Sequence, residues 1–118
     1  MKLPGPDHPI AIVPATGRVV VRFGETIVAD TQNALELTEA SYRPVLYIPR
    51  ADAQLVHYEQ SDRTTNCPYK GDAGYFHLVA SGARADNAVW SYETPYPAMR
   101  KIAGCVAFYP DKVSIARE

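Results

Sequence analysis

The sequence predicts a mainly β fold, either an antiparallel two-sheet sandwich or a small open barrel, for which a β-tent-like form is one option. Short β-prone runs recur along the chain between turn residues, and ten prolines interrupt the pattern. Only one segment fits a helix, near residues 97–103. A parallel α/β fold needs crossover helices between its strands, so this pattern favours antiparallel sheets.

The first two predicted strands form a hairpin. Gly17 to Phe23 alternates in the way typical of a strand, and Glu25 to Asp30 is a second β-rich run. Gly24-Glu25 between them fits a two-residue turn with glycine at the position that needs a positive φ. In that register we expect Val21 to lie opposite Val28.

The middle of the chain predicts three more strands and one helical turn. Leu35 to Thr38 alternates as a third strand, and Pro44 to Ile48 is a fourth that Pro49 closes. Asp52 is a good cap for a short turn of helix. Leu55 to Tyr58 is interpreted as a further strand.

The second half continues in the same style. Tyr75 to Ala80 and Ala88 to Tyr92 are predicted strands, and Val106 to Tyr109 is expected to pair with Val113 to Ala116 around a turn. The single helix starts at Pro97, which suits the first helical position, and Gly104 can end it.

Composition limits the class of protein. With 118 residues, 47% of them hydrophobic, we expect one domain over residues 1–118 whose hydrophobic core is stable without cross-links. The net charge is −1 and no basic block occurs, so no nucleic-acid partner is expected. No apolar run is long enough to span a bilayer, which predicts no membrane association.

The cysteines and histidines indicate a reduced, metal-free protein. The first six residues lack the apolar stretch of a secretory signal, so we expect a cytoplasmic location in which Cys67 and Cys105 stay reduced. No CxxC or HxxxH spacing is present, and the sequence indicates neither a metal site nor a cofactor.

One run concentrates reactive side chains. Thr65 to Gly71 holds a thiol, a phenol and an amine on Cys67, Tyr69 and Lys70. Cys67 could be a nucleophile if Lys70 or a histidine lowers its pKa, with His57 and His77 as spatial candidates. The alternative is a buried loop thiol, because free cysteine packs well as a small hydrophobe.

Lys70 also has two interpretations. It could bind an anion such as a phosphate or a carboxylate, because Gly71 beside it lets backbone approach closely. The run lacks the glycine spacing of a phosphate loop, however. Otherwise Lys70 is a surface lysine that pairs with Asp72 or Asp62.

Aromatic and charged residues supply the other wall of a predicted pocket. Trp90 and Tyr92 share one strand face, and Ser91 and Glu93 share the opposite face. Most tyrosines are expected in the core, with Tyr69 and Tyr92 nearer the site. Arg43 is expected to form an ion pair with Glu39 or Glu93, since a charge in such surroundings needs a partner. His77 is expected to be a hydrogen-bonded core histidine.

Several strings of the sequence resemble a known family when they are taken together and in order. They are His8-Pro9-Ile10, Gly17-Arg18-Val19, Val28-Ala29-Asp30-Thr31, Ala40-Ser41-Tyr42-Arg43-Pro44-Val45, Tyr47-Ile48-Pro49, Cys67-Pro68-Tyr69-Lys70-Gly71, Asn87-Ala88-Val89-Trp90-Ser91-Tyr92-Glu93, Pro95-Tyr96-Pro97 and Val106-Ala107-Phe108-Tyr109-Pro110-Asp111.

These strings resemble the small bacterial family catalogued as domain of unknown function 427, over nearly the whole chain. The resemblance implies a cytosolic, mainly β domain and places Cys67 and Lys70 in a shared motif. It implies no defined activity, although a nucleotidyltransferase label sometimes accompanies the family.

Two classes of function stay open, and whether the protein is an enzyme is left undecided. The first is a domain that binds a small molecule between the Cys67–Lys70 loop and the Trp90–Glu93 strand. The alternative is an enzyme that uses Cys67 or Lys70 on a nucleotide or another phosphorylated substrate. An unpaired sheet edge makes a homodimer a further expectation. The predicted ligand-binding residues are Arg43, Cys67, Tyr69, Lys70, Trp90, Tyr92 and Glu93.

Overall fold

The computed structural model describes all residues from 1 to 118. It contains ten strands and three short 3-10 helices. In chain order the strands are β1 Ile10–Pro14, β2 Val19–Phe23, β3 Thr26–Thr31, β4 Leu35–Glu39, β5 Val45–Tyr47, β6 Tyr58–Cys67, β7 Gly71–Ala80, β8 Ala83–Ser91, β9 Ala107–Phe108 and β10 Ser114–Arg117. The 3-10 helices are Arg50–Asp52, Leu55–His57 and Pro97–Ile102.

The strands form three antiparallel sheets. Their strand orders are β1-β4-β5, β10-β2-β3 and β6-β7-β8-β9. The sheets pack on one another through buried side chains, and none of them closes into a barrel. The prediction of a mainly β, antiparallel fold is therefore confirmed, and the arrangement is that of a sandwich. None of the helical segments is long and apolar enough to cross a membrane.

The four-stranded sheet is central, and its strands β7 and β8 bury side chains on both faces. In the β7–β8 pair, Tyr75 lies opposite Trp90, and the next pair is Phe76 opposite Val89. Because successive side chains of a strand point to opposite faces, these two pairs face opposite sides of the sheet. Each side carries its own hydrophobic cluster, so the central sheet separates two distinct cores.

We name the two cores by their composition. The aliphatic cluster joins the central sheet to the β10-β2-β3 sheet, and the tyrosine-rich cluster joins it to the β1-β4-β5 sheet. The aliphatic cluster comprises Ala15, Val19, Val21, Val28, Ala29, Ala34, Ile48, Leu78, Ala85, Ala88, Val89, Val106 and Phe108. The tyrosine-rich cluster comprises Leu37, Tyr47, Ala73, Tyr75, Tyr92, Met99, Ile102, Cys105 and Ala107.

The predicted hairpin is present, but its register differs. Gly24 has φ of 60° and forms the two-residue turn with Glu25 between β2 and β3. Val21 lies opposite Ala29 rather than Val28, because a bulge shifts the register after this pair. A bulge adds one residue to one strand, which sequence alternation alone does not reveal.

Three other predicted elements are wrong in detail. Asp52 ends a 3-10 turn rather than capping a helix, and its carboxylate accepts a hydrogen bond from Thr31 at 2.6 Å. Residues Leu55–His57 form a 3-10 helix before β6, not a strand. The expected terminal pair does not form, since β9 pairs with β8 and β10 pairs with β2.

The predicted helix near residues 97–103 is a 3-10 helix over Pro97–Ile102, with proline in its first turn. Met99 and Ile102 are its buried residues, and they pack into the tyrosine-rich cluster. The i, i+3 spacing of these two side chains matches the three-residue turn of a 3-10 helix. A segment of six residues is too short to be stable without such packing.

The Cys67–Gly71 run joins the two longest strands. Cys67 ends β6 and Gly71 begins β7, so the run forms the tight end of a long hairpin. Gly71 has φ of 109°, and a Cβ there would lie 3.6 Å from backbone atoms of Pro95 and Tyr96. The Lys70 carbonyl accepts a hydrogen bond from the Tyr96 N–H at 2.9 Å. This hairpin end is thereby tied to the segment that follows β8.

Candidate functional site

A cavity of about 350 Å³ lies between the β1-β4-β5 sheet and the central sheet, beside the tyrosine-rich cluster. Strands β4 and β5 each present one face to it, because alternate residues line it: residues 37 and 39 of β4 and residues 45 and 47 of β5. Residue 75 of β7 also lines it. We call it the aromatic cavity. Its lining residues are Leu37, Glu39, Tyr42, Arg43, Val45, Tyr47, Lys70, Tyr75, Trp90, Tyr92 and Tyr109.

Trp90 organises one wall of the aromatic cavity. Its indole N–H donates to the Tyr47 hydroxyl at 3.3 Å, and the two rings meet edge to face with centroids 6.4 Å apart. The Tyr109 ring packs on the other side at 4.7 Å. Burial raises the pKa of Tyr47 to about 12, so its hydroxyl stays protonated at neutral pH.

Tyr75 and Tyr109 form a linked pair of hydroxyls. Tyr75 shares hydrogen bonds with Thr65 at 2.9 Å and with Tyr109 at 3.5 Å, and the Arg63 guanidinium lies 4.9 Å from its ring. Burial opposes ionisation of Tyr75, but hydrogen bonds from Thr65, Tyr109 and Arg63 outweigh it and lower the pKa. Burial and the bond to Tyr75 raise the pKa of Tyr109 to about 12.

Tyr92 differs from the other buried tyrosines of this wall. The residue is 8% exposed and lines the aromatic cavity, and its hydroxyl makes no hydrogen bond to the protein. No fully buried polar side-chain atom of this protein lacks a partner, so the Tyr92 hydroxyl keeps contact with solvent in the cavity. Burial, with a smaller contribution from Tyr47, raises its pKa well above the usual value. The Tyr92 hydroxyl is therefore a neutral group, free to donate or to accept one hydrogen bond inside the cavity.

A buried ionic network forms the polar end of the cavity. Lys70 is 6% exposed, and its ammonium donates to one oxygen of Glu39. The other Glu39 oxygen is 2.8 Å from Nε2 of His8. Burial opposes ionisation of Glu39, but hydrogen bonds from Lys70 and His8 outweigh it and lower the pKa of this carboxyl. Both oxygens of the Glu39 carboxylate are thus occupied by protein donors.

Lys70 does not pair with Asp72 or Asp62, as one interpretation of the sequence had it. The Asp72 carboxylate accepts from the Asn66 side chain at 2.9 Å instead. The Lys70 ammonium lies 3.7 Å from the Cys67 sulfur, which is a long contact even for a sulfur acceptor. Proximity in sequence favoured the aspartates, whereas the hairpin turns Lys70 inward to Glu39 of β4.

Arg43 is exposed and lines the mouth of the aromatic cavity. The expected ion pair with Glu39 or Glu93 does not form, because Lys70 and His8 occupy Glu39 and Arg50 pairs with Glu93. No carboxylate of the protein lies within ion-pair distance of the Arg43 guanidinium. It is a cation without an internal partner at the entrance of a cavity.

Four of the seven predicted ligand-binding residues come together in the aromatic cavity. They are Arg43, Lys70, Trp90 and Tyr92.

The other three predicted residues lie elsewhere. Cys67 is half-buried and packs against the tyrosine-rich cluster without lining the cavity. Tyr69 stacks on His8, with ring centroids 4.0 Å apart, beside a separate surface hollow. Glu93 shares the opposite strand face with Ser91, where both accept hydrogen bonds from Arg50. β8 ends at Ser91, so Tyr92 and Glu93 follow the strand rather than lie in it. Tyr92 still lines the cavity with Trp90, whereas the ion pair with Arg50 holds Glu93 elsewhere.

The two histidines considered as partners of Cys67 have other positions. Nδ1 of His77 accepts a hydrogen bond from the Asn87 backbone N–H at 2.9 Å, which is the structural role expected of it. His57 ends the 3-10 helix before β6. The histidine that belongs to the ionic network is His8, which the sequence did not predict to be part of the site.

Sequence reasoning missed several lining residues that come from distant strands. Glu39 could have been found from its alternation with Leu37, which places both on one face of β4. Tyr47 alternates with Val45 in the same way on β5. Their meeting with Tyr75 and Tyr109 depends on how the sheets pack, and no local pattern carries that information.

A second, more apolar hollow of about 370 Å³ adjoins the aromatic cavity. The two share Arg43, Val45 and Trp90, and the second adds Leu46, Phe108 and Ile115 among its walls. No group of three or more His, Cys, Asp or Glu side chains is placed to hold a metal ion.

The fold and the cavity define a mainly β protein of antiparallel sheets with a tyrosine-lined cavity beside its central sheet. The chain belongs to the family described as domain of unknown function (DUF427), whose model matches residues 11–118. This match confirms the resemblance seen in the sequence strings. No curated protein matches the sequence.

Proposed function

We propose that this protein binds a small organic molecule in the aromatic cavity. The observation that supports this most directly is the Tyr92 hydroxyl, which has no hydrogen bond to the protein and is accessible from the cavity. A few accessible polar groups in an otherwise apolar lining are what orient a ligand, and this hydroxyl can act as one of them. Whatever binds there would complete the hydrogen bonding of this wall.

The size and lining of the cavity support the same proposal. Ligand sites are typically concave, apolar for the most part and about 300–1,000 Å³ in volume, with a few polar groups that orient the ligand. The aromatic cavity has about 350 Å³ and eight hydrophobic residues among its eleven lining residues. The polar groups among the others are Arg43, Lys70 and Glu39.

The alternative of an enzyme that uses Cys67 or Lys70 on a phosphorylated substrate has less support. Cys67 does not line the cavity, and the Lys70 ammonium is held by Glu39. The Lys70 ammonium lies 3.7 Å from the Cys67 sulfur, but its ion pair with Glu39 holds it in the charged form, so it is not free to serve as the base that a thiol nucleophile needs. Turnover of any bound nucleotide would favour this alternative over simple binding.

We also propose a cytoplasmic location and leave a homodimer as a prediction. Both cysteines, Cys67 and Cys105, are free thiols, which suits a reducing compartment. Cell fractionation tests the location. Sedimentation equilibrium tests the dimer, which would form through an unpaired sheet edge.

A ligand screen tests the proposed function. We expect one or more of a set of nucleotides, sugars, thiols and small acids to raise the melting temperature by mass action. Trp90 is the only tryptophan, so the single indole N–H resonance of ¹⁵N-labelled protein reports binding at the cavity wall. A true ligand must move this resonance as it stabilises the fold.

Two matched variants decide whether the cavity is the site. We expect Tyr92→Phe to reduce the stabilisation by the ligand, because it removes the free hydroxyl. Tyr96→Phe is the control, since Tyr96 is a half-buried tyrosine that does not line the cavity. If every stabilising compound leaves the Trp90 resonance unmoved, or acts equally on both variants, the proposal is wrong.

A further inference from the structure

We propose that the ligand of the aromatic cavity is a planar aromatic compound that carries a single negative charge, held at Arg43 and Lys70. This inference rests on the proposed function and narrows it to a class of compound. It follows from the charges of the lining residues, the hydrogen-bond donors left free among them and the aromatic walls.

The lining residues leave one positive charge uncompensated. Arg43 and Lys70 are the two cations of the lining, and Glu39 is its only carboxylate, so the lining carries one more positive charge than negative charges. Lys70 and Glu39 compensate each other in their ion pair, so the remaining charge is that of Arg43. One negative charge on a ligand would balance it, whereas a cationic ligand would add to it.

Glu39 is already engaged by two protein donors and is therefore a weaker contact for a cationic ligand. Lys70 occupies one of its oxygens and His8 the other. The aromatic walls attract cations through their ring faces, and this attraction is the main argument for a cationic ligand. Two protein cations line the same cavity and would repel a cationic ligand, so the arrangement favours an anionic ligand.

The groups that remain free are chiefly hydrogen-bond donors. The Arg43 guanidinium has a planar fork of N–H groups that matches a carboxylate, and no protein carboxylate uses it. The Lys70 ammonium has three N–H groups, of which Glu39 accepts one and the Cys67 sulfur, at 3.7 Å, accepts another weakly. The Tyr92 hydroxyl is a further free donor of the cavity lining.

The walls select the shape of the rest of the ligand. Trp90 meets Tyr47 edge to face and Tyr109 at a tilt, so the rings stand as rigid, apolar surfaces around the cavity. Rigid aromatic side chains favour flat partners, against which they gain contact area with little loss of side-chain freedom. A planar ring with one carboxylate fits both the walls and the donors.

A set of naphthalene compounds that differ only in charge tests this inference. We expect 2-naphthoate to bind roughly tenfold or more tightly than neutral 2-naphthamide, because the carboxylate receives charge-assisted hydrogen bonds. The cation 2-naphthylmethylammonium should bind most weakly. Isothermal titration calorimetry at pH 7 gives the affinities, and the Trp90 indole resonance confirms where each compound binds.

An arginine variant and its control test whether Arg43 is the positive charge that binds the carboxylate of the ligand. We expect Arg43→Gln to remove most of the difference in affinity between 2-naphthoate and 2-naphthamide. Arg100→Gln should leave the difference intact, because Arg100 is exposed, has no ion pair and does not line the cavity. Both arginines are at the surface, so neither change should prevent folding.

The outcomes separate failure of this inference from failure of the proposed function. Equal affinity for 2-naphthoate and 2-naphthamide, or tightest binding of the ammonium compound, overturns the anionic class but leaves binding in the cavity established. Tighter binding of 2-naphthyl phosphate than of 2-naphthoate overturns the inference that the ligand carries a single negative charge. If none of the four compounds binds, the planar anionic class is wrong, and the broader ligand screen decides the proposed function.

Discussion

The two faces of the central sheet carry cores of different chemistry. On one face the aliphatic cluster holds thirteen buried residues, none of which has a polar side-chain atom. On the other face the tyrosine-rich cluster holds nine, including Tyr47, Tyr75 and Tyr92, and it adjoins the aromatic cavity. One sheet thus combines a closed core with a core that opens onto a candidate site.

The difference follows from what each side chain requires. Aliphatic groups need only close contact, so a cluster of valines and alanines can pack without any polar partner. Each buried tyrosine brings a hydroxyl that needs a hydrogen bond. Tyr47 receives one from Trp90 and Tyr75 bonds Thr65, while Tyr92 has none from the protein. The tyrosine-rich side is therefore the one with a side-chain hydroxyl that is free at a cavity.

The largest expected effect lies in the aliphatic cluster. Leu78 is fully buried there, and Leu78→Ala should lower the free energy of unfolding by about 3 kcal/mol through lost burial and the cavity left behind. Urea denaturation measures the loss. Val79→Ala, at a neighbouring position that is 38% exposed, should cost far less.

The same variant sharpens the contrast between the two faces. Because Leu78 lies on the face opposite the aromatic cavity, the folded Leu78→Ala protein should bind cavity ligands with unchanged affinity. Calorimetry well below its melting temperature tests this. A loss of affinity as large as that of Tyr92→Phe would show that the two cores do not act separately.

A smaller effect is expected at the ionic network of the tyrosine-rich side. Glu39→Gln leaves the buried Lys70 ammonium without its counter-charge. Breaking a fully buried pair costs about 3–5 kcal/mol, and we expect about 2 kcal/mol here because the carboxylate keeps some contact with solvent. Adding Lys70→Met should recover part of that stability. If the double variant is less stable than Glu39→Gln, an uncompensated charge is not the cause.

The network also predicts a pH dependence. The pKa of Glu39 is lowered from an ordinary value of 4.5, so its stabilising contribution is present above pH 4.5 and is lost as pH falls through the folded-state pKa. Unfolding followed between pH 6 and pH 3 should therefore show a flatter profile for Glu39→Gln than for the wild type. Glu25→Gln, at an exposed turn position, should keep the wild-type slope.

Local features of the fold were predictable from the sequence. The Gly24-Glu25 turn follows from a glycine that can adopt positive φ, and β4 and β5 follow from alternating apolar residues. Alternation also predicted that Trp90 and Tyr92 would face the same side, and both line the aromatic cavity although β8 already ends at Ser91. These features depend only on neighbours in the chain, which is why a single sequence contains them.

Features that depend on packing between distant strands were not predictable. The polar strand β6 has little alternation, so only its pairing with β7 defines it. The Glu39–Lys70 pair joins residues 31 positions apart, one at the end of β4 and the other in the turn between β6 and β7. Cys67 drew attention as a reactive group, yet its place is set by the hairpin end, which points Lys70 rather than the thiol into the cavity.

The smallest effect distinguishes the tyrosines of the two faces most directly. Tyr58 packs against the aliphatic cluster, and its hydroxyl donates to the Val28 carbonyl at 2.8 Å, so Tyr58→Phe should cost about 1 kcal/mol of stability. Tyr92→Phe removes a hydroxyl with no protein partner, and its free energy of unfolding should stay within about 0.5 kcal/mol of the wild type. Ligand affinity should show the reverse order, with a loss for Tyr92→Phe and none for Tyr58→Phe. Measuring both quantities for both variants separates a hydroxyl that stabilises the fold from one that is available to a ligand. Equal losses of stability would mean that Tyr92 already has a partner and that the aromatic cavity is complete without a bound molecule.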